Sequence, residues 1–347
     1  MIPQRRTIVP IVPSIQRHYF SRPPKGSIHW NEQLRQLFYT FLPNFHMRQL
    51  LLLAVLYSFR GSSPGTHCPE APAFSASLRS FRKRFLTILC VAFCTVSAAL
   101  AQEREWKLVW SDEFDGTKLD YSKWEVEVNA FGGGNQELQI YTDRRENVRV
   151  EDGHLVLEAR RDKHGIAGTT REFSSGRIRS KHRGEWKYGK FEIRAKLPAG
   201  QGVWPAIWMM PTDEVYGTWA SSGEIDIMEF KGQEPSVVWG TLHYGKEWPD
   251  NKHTGDTFKL EQGNFTDDFH VFTIEWEEAV VRWYLDGKLW QTQTKWESNG
   301  GKFPAPFDQE FHMILNLAVG GGFVGNPDSQ TKFPRQLLID YVHVHQR

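Results

Sequence analysis

The sequence predicts an all-β fold, a sandwich or barrel, for residues 102–347. Three observations carry this reading. Short alternating or apolar runs recur at 106–110, 148–150, 155–159, 190–197, 224–230, 237–243, 270–276, 280–285, 311–317 and 339–345. Turn signals such as Glu151-Asp152-Gly153, Pro198-Ala199-Gly200 and Asp286-Gly287 separate them. No long amphipathic helix and no internal repeat breaks the pattern. Regular strand-length runs punctuated by turns are the mark of an antiparallel sandwich or barrel.

Taken in order, the chain begins with residues 1–78, which are Pro- and Arg-rich with short apolar bursts and no sustained period. No fold is expected there. Residues 79–101 read as a signal peptide. Arg79, Arg82, Lys83 and Arg84 form a basic start, Phe85 to Val96 an apolar centre, and Ala99-Leu100-Ala101 a small-residue cleavage site. The apolar run is shorter than the ~20 residues a membrane span requires. Cleavage predicts a mature start at Gln102, a secreted or periplasmic protein, and no stable membrane association afterwards. A leader so far into the chain suggests that translation starts just upstream of it, near Leu78. Within the β domain the clearest local unit is 280–290, where Asp286-Gly287 predicts a hairpin turn.

Composition narrows the partners. The chain has 347 residues and a net charge of +1. No basic excess favours nucleic acid. Fourteen Trp suit both core packing and the stacking of sugar rings. The three cysteines, Cys68, Cys90 and Cys94, all precede the β domain, so that domain needs no disulfide. A monomer is the default expectation.

The chain is organised around Gly223-Glu224-Ile225-Asp226-Ile227-Met228-Glu229-Phe230. Its Ile, Met and Phe residues favour a strand. Strand period 2 puts Glu224 and Asp226 on one face and Glu229 on the other. A single β-bulge between Asp226 and Glu229, with Ile227 or Met228 as the extra residue, brings all three acids to one face. Crowded carboxylates raise one another's pKa, which is useful only if the shift is used. Retaining glycosidases use two carboxyl groups about 5–5.5 Å apart, one a nucleophile and one an acid/base. Glu224 and Glu229 form the candidate pair, with Asp226 between them to tune Glu224. The spacing alone does not say which glutamate has which role. A solvated acidic edge or a metal site is the alternative.

This stretch resembles the catalytic signature of glycoside hydrolase family 16, in the bulged form of laminarinases. The likeness extends through Trp110-Ser111-Asp112-Glu113-Phe114-Asp115-Gly116, Asn135-Gln136-Glu137-Leu138-Gln139, Ser175-Gly176-Arg177-Ile178-Arg179-Ser180, Gly202-Val203-Trp204-Pro205-Ala206-Ile207-Trp208, Phe311 to Gly321 and Ile339-Asp340-Tyr341-Val342-His343-Val344. It covers nearly all of 105–347. It implies a jelly-roll sandwich whose concave face is a glycan cleft. It also implies Glu224 as nucleophile, with a low pKa, and Glu229 as acid/base, with a raised one. The implied activity is endo-hydrolysis of β-1,3-glucan by double displacement. Mixed-linked β-glucan, agarose or carrageenan are the alternatives on the same scaffold. A non-catalytic glucan-binding module is the alternative of another class, although such modules lack the acids. Transglycosylation shares the covalent intermediate.

Further residues are candidates for substrate contact. Trp204 and Trp208, four apart on one strand face, line either the cleft or a packed layer. His243 either hydrogen-bonds sugar or pairs with backbone. Asn135 and Arg179 offer groups to hydroxyls, Arg179 being equally readable as a surface charge. Asn316 sits in an apolar run and must be hydrogen-bonded if buried. No cofactor is expected for catalysis. The resemblance implies one structural Ca²⁺ held by Glu113, the Gly153 carbonyl and Asp340, oxygen ligands that suit this ion.

Overall fold

The computed structural model describes residues 105–347; the segment 1–78, the expected leader and cleavage site at 79–101 and all three cysteines lie outside the described residues. Twenty strands follow in order: β1 (Lys107–Asp112), β2 (Glu125–Val126), β3 (Gln139–Tyr141), β4 (Val148–Glu151), β5 (His154–Ala159), β6 (His164–Ile166), β7 (Thr169–Arg171), β8 (Phe173–Ser175), β9 (Arg177–Arg179), β10 (Glu185–Trp186), β11 (Gly189–Lys196), β12 (Val203–Pro211), β13 (Glu224–Phe230), β14 (Val237–Tyr244), β15 (Lys252–Lys259), β16 (His270–Glu277), β17 (Val280–Leu285), β18 (Lys288–Gln293), β19 (Phe311–Val319) and β20 (Arg335–Gln346). The one helical element among the described residues is a single 3₁₀ turn at Gly132–Gly134.

Two eight-stranded antiparallel sheets make a jelly-roll sandwich. One runs β18-β17-β16-β11-β20-β5-β4, with β1 also on β20; the other runs β15-β14-β13-β12-β19-β9-β2, with β10 also on β19. Side-chain alternation builds the core between them. In β11, Gly189, Phe191, Ile193 and Ala195 point inward while Lys190, Glu192, Arg194 and Lys196 point out. Trp276 and Trp283 are fully buried at the centre, Trp276 meeting Phe311 edge-on at 5.2 Å between ring centroids. Burying a large apolar side chain contributes roughly 1.5–3 kcal/mol. The predicted hairpin closes β17 onto β18 through Asp286 (φ 48°) and Gly287 (φ 77°), the two positive φ values that match hairpin twist.

Several strands had no periodic signal. The edge strand β15 is polar on both faces and largely exposed. It pairs along all of β14, and hydrogen bonding rather than an apolar stripe defines it. Strands β2, β3 and β6 to β10 are two or three residues long, below the length at which alternation can be read. Strand β19 is buried along its whole length. Residues beside β3 close over its end, where Leu138 N–H donates to the Val319 carbonyl (2.8 Å) and Val319 N–H to Gln139 Oε1 (2.8 Å).

Candidate active site

The site lies on the outer face of β13, and a bulge builds it. Asp226 pairs with Thr241 and Glu229 with Trp239 on β14, so one residue too many lies between them. On β12, Met228 faces Ile207 and Asp226 faces Trp208, which makes Ile227 the extra residue on that side. Ile225, Ile227, Met228 and Phe230 all enter the core. Glu224, Asp226 and Glu229 are left together on the other face. The bulge is pinned from the opposite sheet: Trp283 of β17 donates its indole N–H to the Asp226 carbonyl at 2.9 Å. Gly240 lies opposite the bulge because a Cβ there would come within 2.6 Å of the Trp283 ring.

The acids are differently partnered. Glu224 Oε2 accepts the Trp219 indole N–H at 2.5 Å. His243 Nε2 lies 3.3 Å from Asp226 Oδ2 and 3.9 Å from Glu224 Oε1. Asp226 is 2% exposed. Burial and the Asp226 charge push Glu224 up to about 8, against the opposing pull of His243 and the Trp219 N–H. Burial, then Asp226 and Glu224, push Glu229 well above the usual carboxylate range, with His243 and the Trp204 indole opposing. Burial works to discharge His243, but Asp226 and then the two glutamates outweigh it and raise it to about 9. The expectation of a low pKa for Glu224 is therefore not met in the empty site: one imidazolium and one indole N–H do not offset burial beside Asp226.

Aromatic and amide groups floor the site. Trp204, Ala318 and Val324 form a small buried cluster with Phe323 against it, separate from the main core. Trp239 meets the Phe323 ring edge-on at 5.6 Å, and the Lys231 ammonium sits 4.8 Å and 4.4 Å from these two ring centroids. Trp208 N–H donates to Asn316 Oδ1 at 2.7 Å, and Asn316 Nδ2 to Tyr141 Oη at 3.1 Å. Tyr141 and Gln139 in turn reach Glu137 Oε2 (3.4 and 2.6 Å). Arg177 lies over the Trp208 ring at 5.0 Å. Both polar ends of the Asn316 amide are thus used within the protein, and Asn316 holds Trp208 in place.

The structure brings Glu224, Asp226, Glu229, His243, Trp204, Trp208 and Asn316 together. It does not bring Arg179 or Asn135 to the acids. Arg179 is ion-paired to Glu125 (2.9 Å) and Glu127 (2.8 Å), and its strand is three places from β13, about 14 Å at ~4.8 Å per strand. Asn135 is exposed in the glycine-rich segment beyond Trp204, its carbonyl accepting Gly322 N–H at 2.9 Å. Both side chains expected to hold calcium have partners within the protein. Asp340 Oδ2 is held by Arg194 at 2.5 Å and Glu113 Oε1 by His343 at 2.8 Å. Trp219, Trp239 and Arg177 were missed as site residues. Strand parity with His243 places Trp239 on the site face. No pattern marks Trp219, which lies between strands.

Two carboxyl groups on one strand face, a third acid and an imidazole behind them, and an aromatic floor define an acid/base site suited to a sugar polymer. Residues 135–342 match the family model of glycosyl hydrolases family 16. The chain belongs to that family. It is 44% identical to glucan endo-1,3-beta-glucosidase A1 of Niallia circulans over 255 residues, 69% of this chain and 37% of that relative, so it spans well under half of that relative's length. It is also 44% identical to a beta-glucanase of Rhodothermus marinus over 250 residues, 69% of this chain and 85% of that relative. The solved laminarinase of Rhodothermus marinus superposes with a TM-score of 0.62 at 42% identity, covering 70% of this chain and 98% of that one.

Proposed function

We propose that the protein is a secreted, retaining endo-β-1,3-glucanase that acts on laminarin-type polysaccharide as a monomer. The observation that carries the reading is the bulge that turns Glu224 and Glu229 to one face beside a tryptophan floor. The names of the relatives support the linkage. Residues 79–101, read as a cleavable leader, support export.

In the mechanism, Glu229 enters protonated and gives its proton to the departing glycosidic oxygen. Glu224 attacks the anomeric carbon as that bond breaks, forming a covalent glycosyl ester. Glu229, now a carboxylate, takes a proton from water, whose oxygen displaces Glu224 with overall retention. Burial favours the proton on Glu229 in the empty site. Glu224 has to be ionised to attack. The Trp219 N–H and charged His243 favour that form, and a proton leaves Glu224 most readily when Asp226 is screened by His243. Asp226 and His243 are positioning residues in this scheme. No step requires a metal. A structural calcium at Asp340 would have to displace Arg194, and thermal melting in CaCl₂ against EGTA tests for it.

The function is tested by reducing-sugar release from laminarin, mixed-linked barley glucan, agarose and carrageenan, with Glu224→Gln as control. Rapid release from laminarin, lost in the variant, is expected. Release from a galactan alone overturns the substrate. Glycan binding without release by the folded protein overturns the enzyme reading.

A further inference from the structure

Glu224, Asp226 and His243 each direct one ligand atom into the same small space. The three atoms lie within 4.8 Å of one another, and no second such trio of His, Cys, Asp or Glu occurs among the described residues. Two edges of the triangle are 3.3 Å (Asp226 Oδ2 to His243 Nε2) and 3.9 Å (His243 Nε2 to Glu224 Oε1). A tetrahedral ion bound at about 2.0–2.1 Å spaces its ligands about 3.3–3.4 Å apart, so one edge already fits and the other needs about half an ångström. Asp226 supplies a second sign. It is 2% exposed, and Oδ2, the oxygen that faces this space, makes no hydrogen bond of good geometry, its contact being His243 Nε2 at 3.3 Å, itself a member of the trio. A buried carboxylate oxygen that makes no hydrogen bond is unfavourable unless a cation lies against it, either the imidazolium or a metal ion that takes the imidazolium proton's place.

We propose that this trio is a binding site for a zinc-type divalent cation, whose occupancy reversibly blocks the enzyme. One imidazole nitrogen with two carboxylate oxygens suits Zn²⁺, Co²⁺ or Cu²⁺, and leaves a fourth position for water. It does not suit Ca²⁺ or Mg²⁺, which require more oxygen ligands. The shape of the chain explains why the site exists. The bulge that turns Glu229 to the outer face keeps Asp226 opposite Thr241, and period 2 along β14 then sets His243 beside Glu224. The bound ion takes the oxygen that would attack sugar and occupies the space the sugar would enter. The inhibitory part rests on the reading of Glu224 as nucleophile; the binding part does not.

The protein is titrated with ZnCl₂ in chelator-treated buffer by calorimetry, and with CoCl₂ by visible absorption. One ion per chain and the intense bands of tetrahedral Co²⁺ are expected. Affinity should fall at least ~100-fold in His243→Asn and in Asp226→Asn, since loss of a direct ligand exceeds the 10–100-fold effect of outer partners. On the unmodified protein, a laminari-oligosaccharide should exclude Zn²⁺, a comparison that needs no variant to fold. Failure to bind one Zn²⁺ per chain, or Zn²⁺ bound as tightly by His243→Asn and Asp226→Asn as by the unmodified protein, overturns the site; Zn²⁺ bound equally well with the oligosaccharide present overturns the inhibitory role. Stoichiometric Zn²⁺ binding that leaves glucan hydrolysis unchanged, or inhibition that EDTA does not reverse, overturns the inhibitory role. Activity on glucan without zinc is measured separately and tests the functional reading by itself.

Discussion

Replacing Glu224 by Gln should stabilise the protein, and should do so far more near pH 8 than near pH 5. In the folded chain burial and Asp226 hold the Glu224 carboxyl up to about 8, from an ordinary 4.5. A carboxyl with a higher pKa in the folded than the unfolded state binds its proton more tightly when folded. Its contribution is therefore most favourable below 4.5 and is lost as pH rises through about 8. The interval, 8 − 4.5 = 3.5 pH units, corresponds to about 5 kcal/mol at ~1.4 kcal/mol per unit. Because Asp226 and Glu229 share the crowding, removing one acid should recover about 2–4 kcal/mol. The neutral amide can still accept the Trp219 N–H, so no new unpaired group is created. Denaturant unfolding of both proteins at the two pH values measures the effect. A variant no more stable than the parent near pH 8, or an advantage independent of pH, would refute the claim that the acid is held in an unfavourable site.

Three further outcomes follow from named contacts. Trp219→Phe removes the indole N–H on Glu224, a charge-assisted bond worth about 1.5–3 kcal/mol, so the acid limb of kcat/KM should move to higher pH and activity below it should fall about 10–100-fold; an unmoved limb contradicts the role of Trp219. Asn316→Leu leaves the Trp208 indole without its acceptor, while the Tyr141 hydroxyl keeps Glu137, and should cost about 1–3 kcal/mol in denaturant unfolding. Trp283→Phe keeps an aromatic core residue but loses the bond to the Asp226 carbonyl. It should cost about 1–3 kcal/mol and lower kcat more than it changes KM; steady-state kinetics unchanged from the parent would show that the bulge holds without it.

The catalytic strand was legible in the sequence because its two physical demands conflict. Apolar residues at 225, 227, 228 and 230 require the core, while acids at 224, 226 and 229 require the other face, and only a bulge satisfies both. The long inner strands were legible for the simpler reason of alternation, as in β11. What failed to show was of two kinds. Strand β15 is held at an edge by backbone bonds and carries no burial signature. Trp219 acts from a segment between strands, where no period constrains side-chain direction, so its indole on Glu224 emerges only from the folded chain. The Glu224 pKa was misjudged because a nucleophile's charge was expected from its role. Burial beside Asp226 is a property of the three-dimensional site, and it acts in the opposite direction.

The central claim is the division of labour between Glu224 and Glu229, and azide rescue tests it most directly. Glu224→Ala and Glu229→Ala are each given an activated β-laminaribiosyl substrate with sodium azide, and the anomeric configuration of the glycosyl azide is read by NMR. The account predicts an α-azide from Glu224→Ala, where azide replaces the missing nucleophile in one displacement. It predicts a β-azide from Glu229→Ala, where azide attacks the intermediate already formed on Glu224. The opposite pair of products would exchange the two roles, and products of the same configuration from both variants would contradict the double displacement.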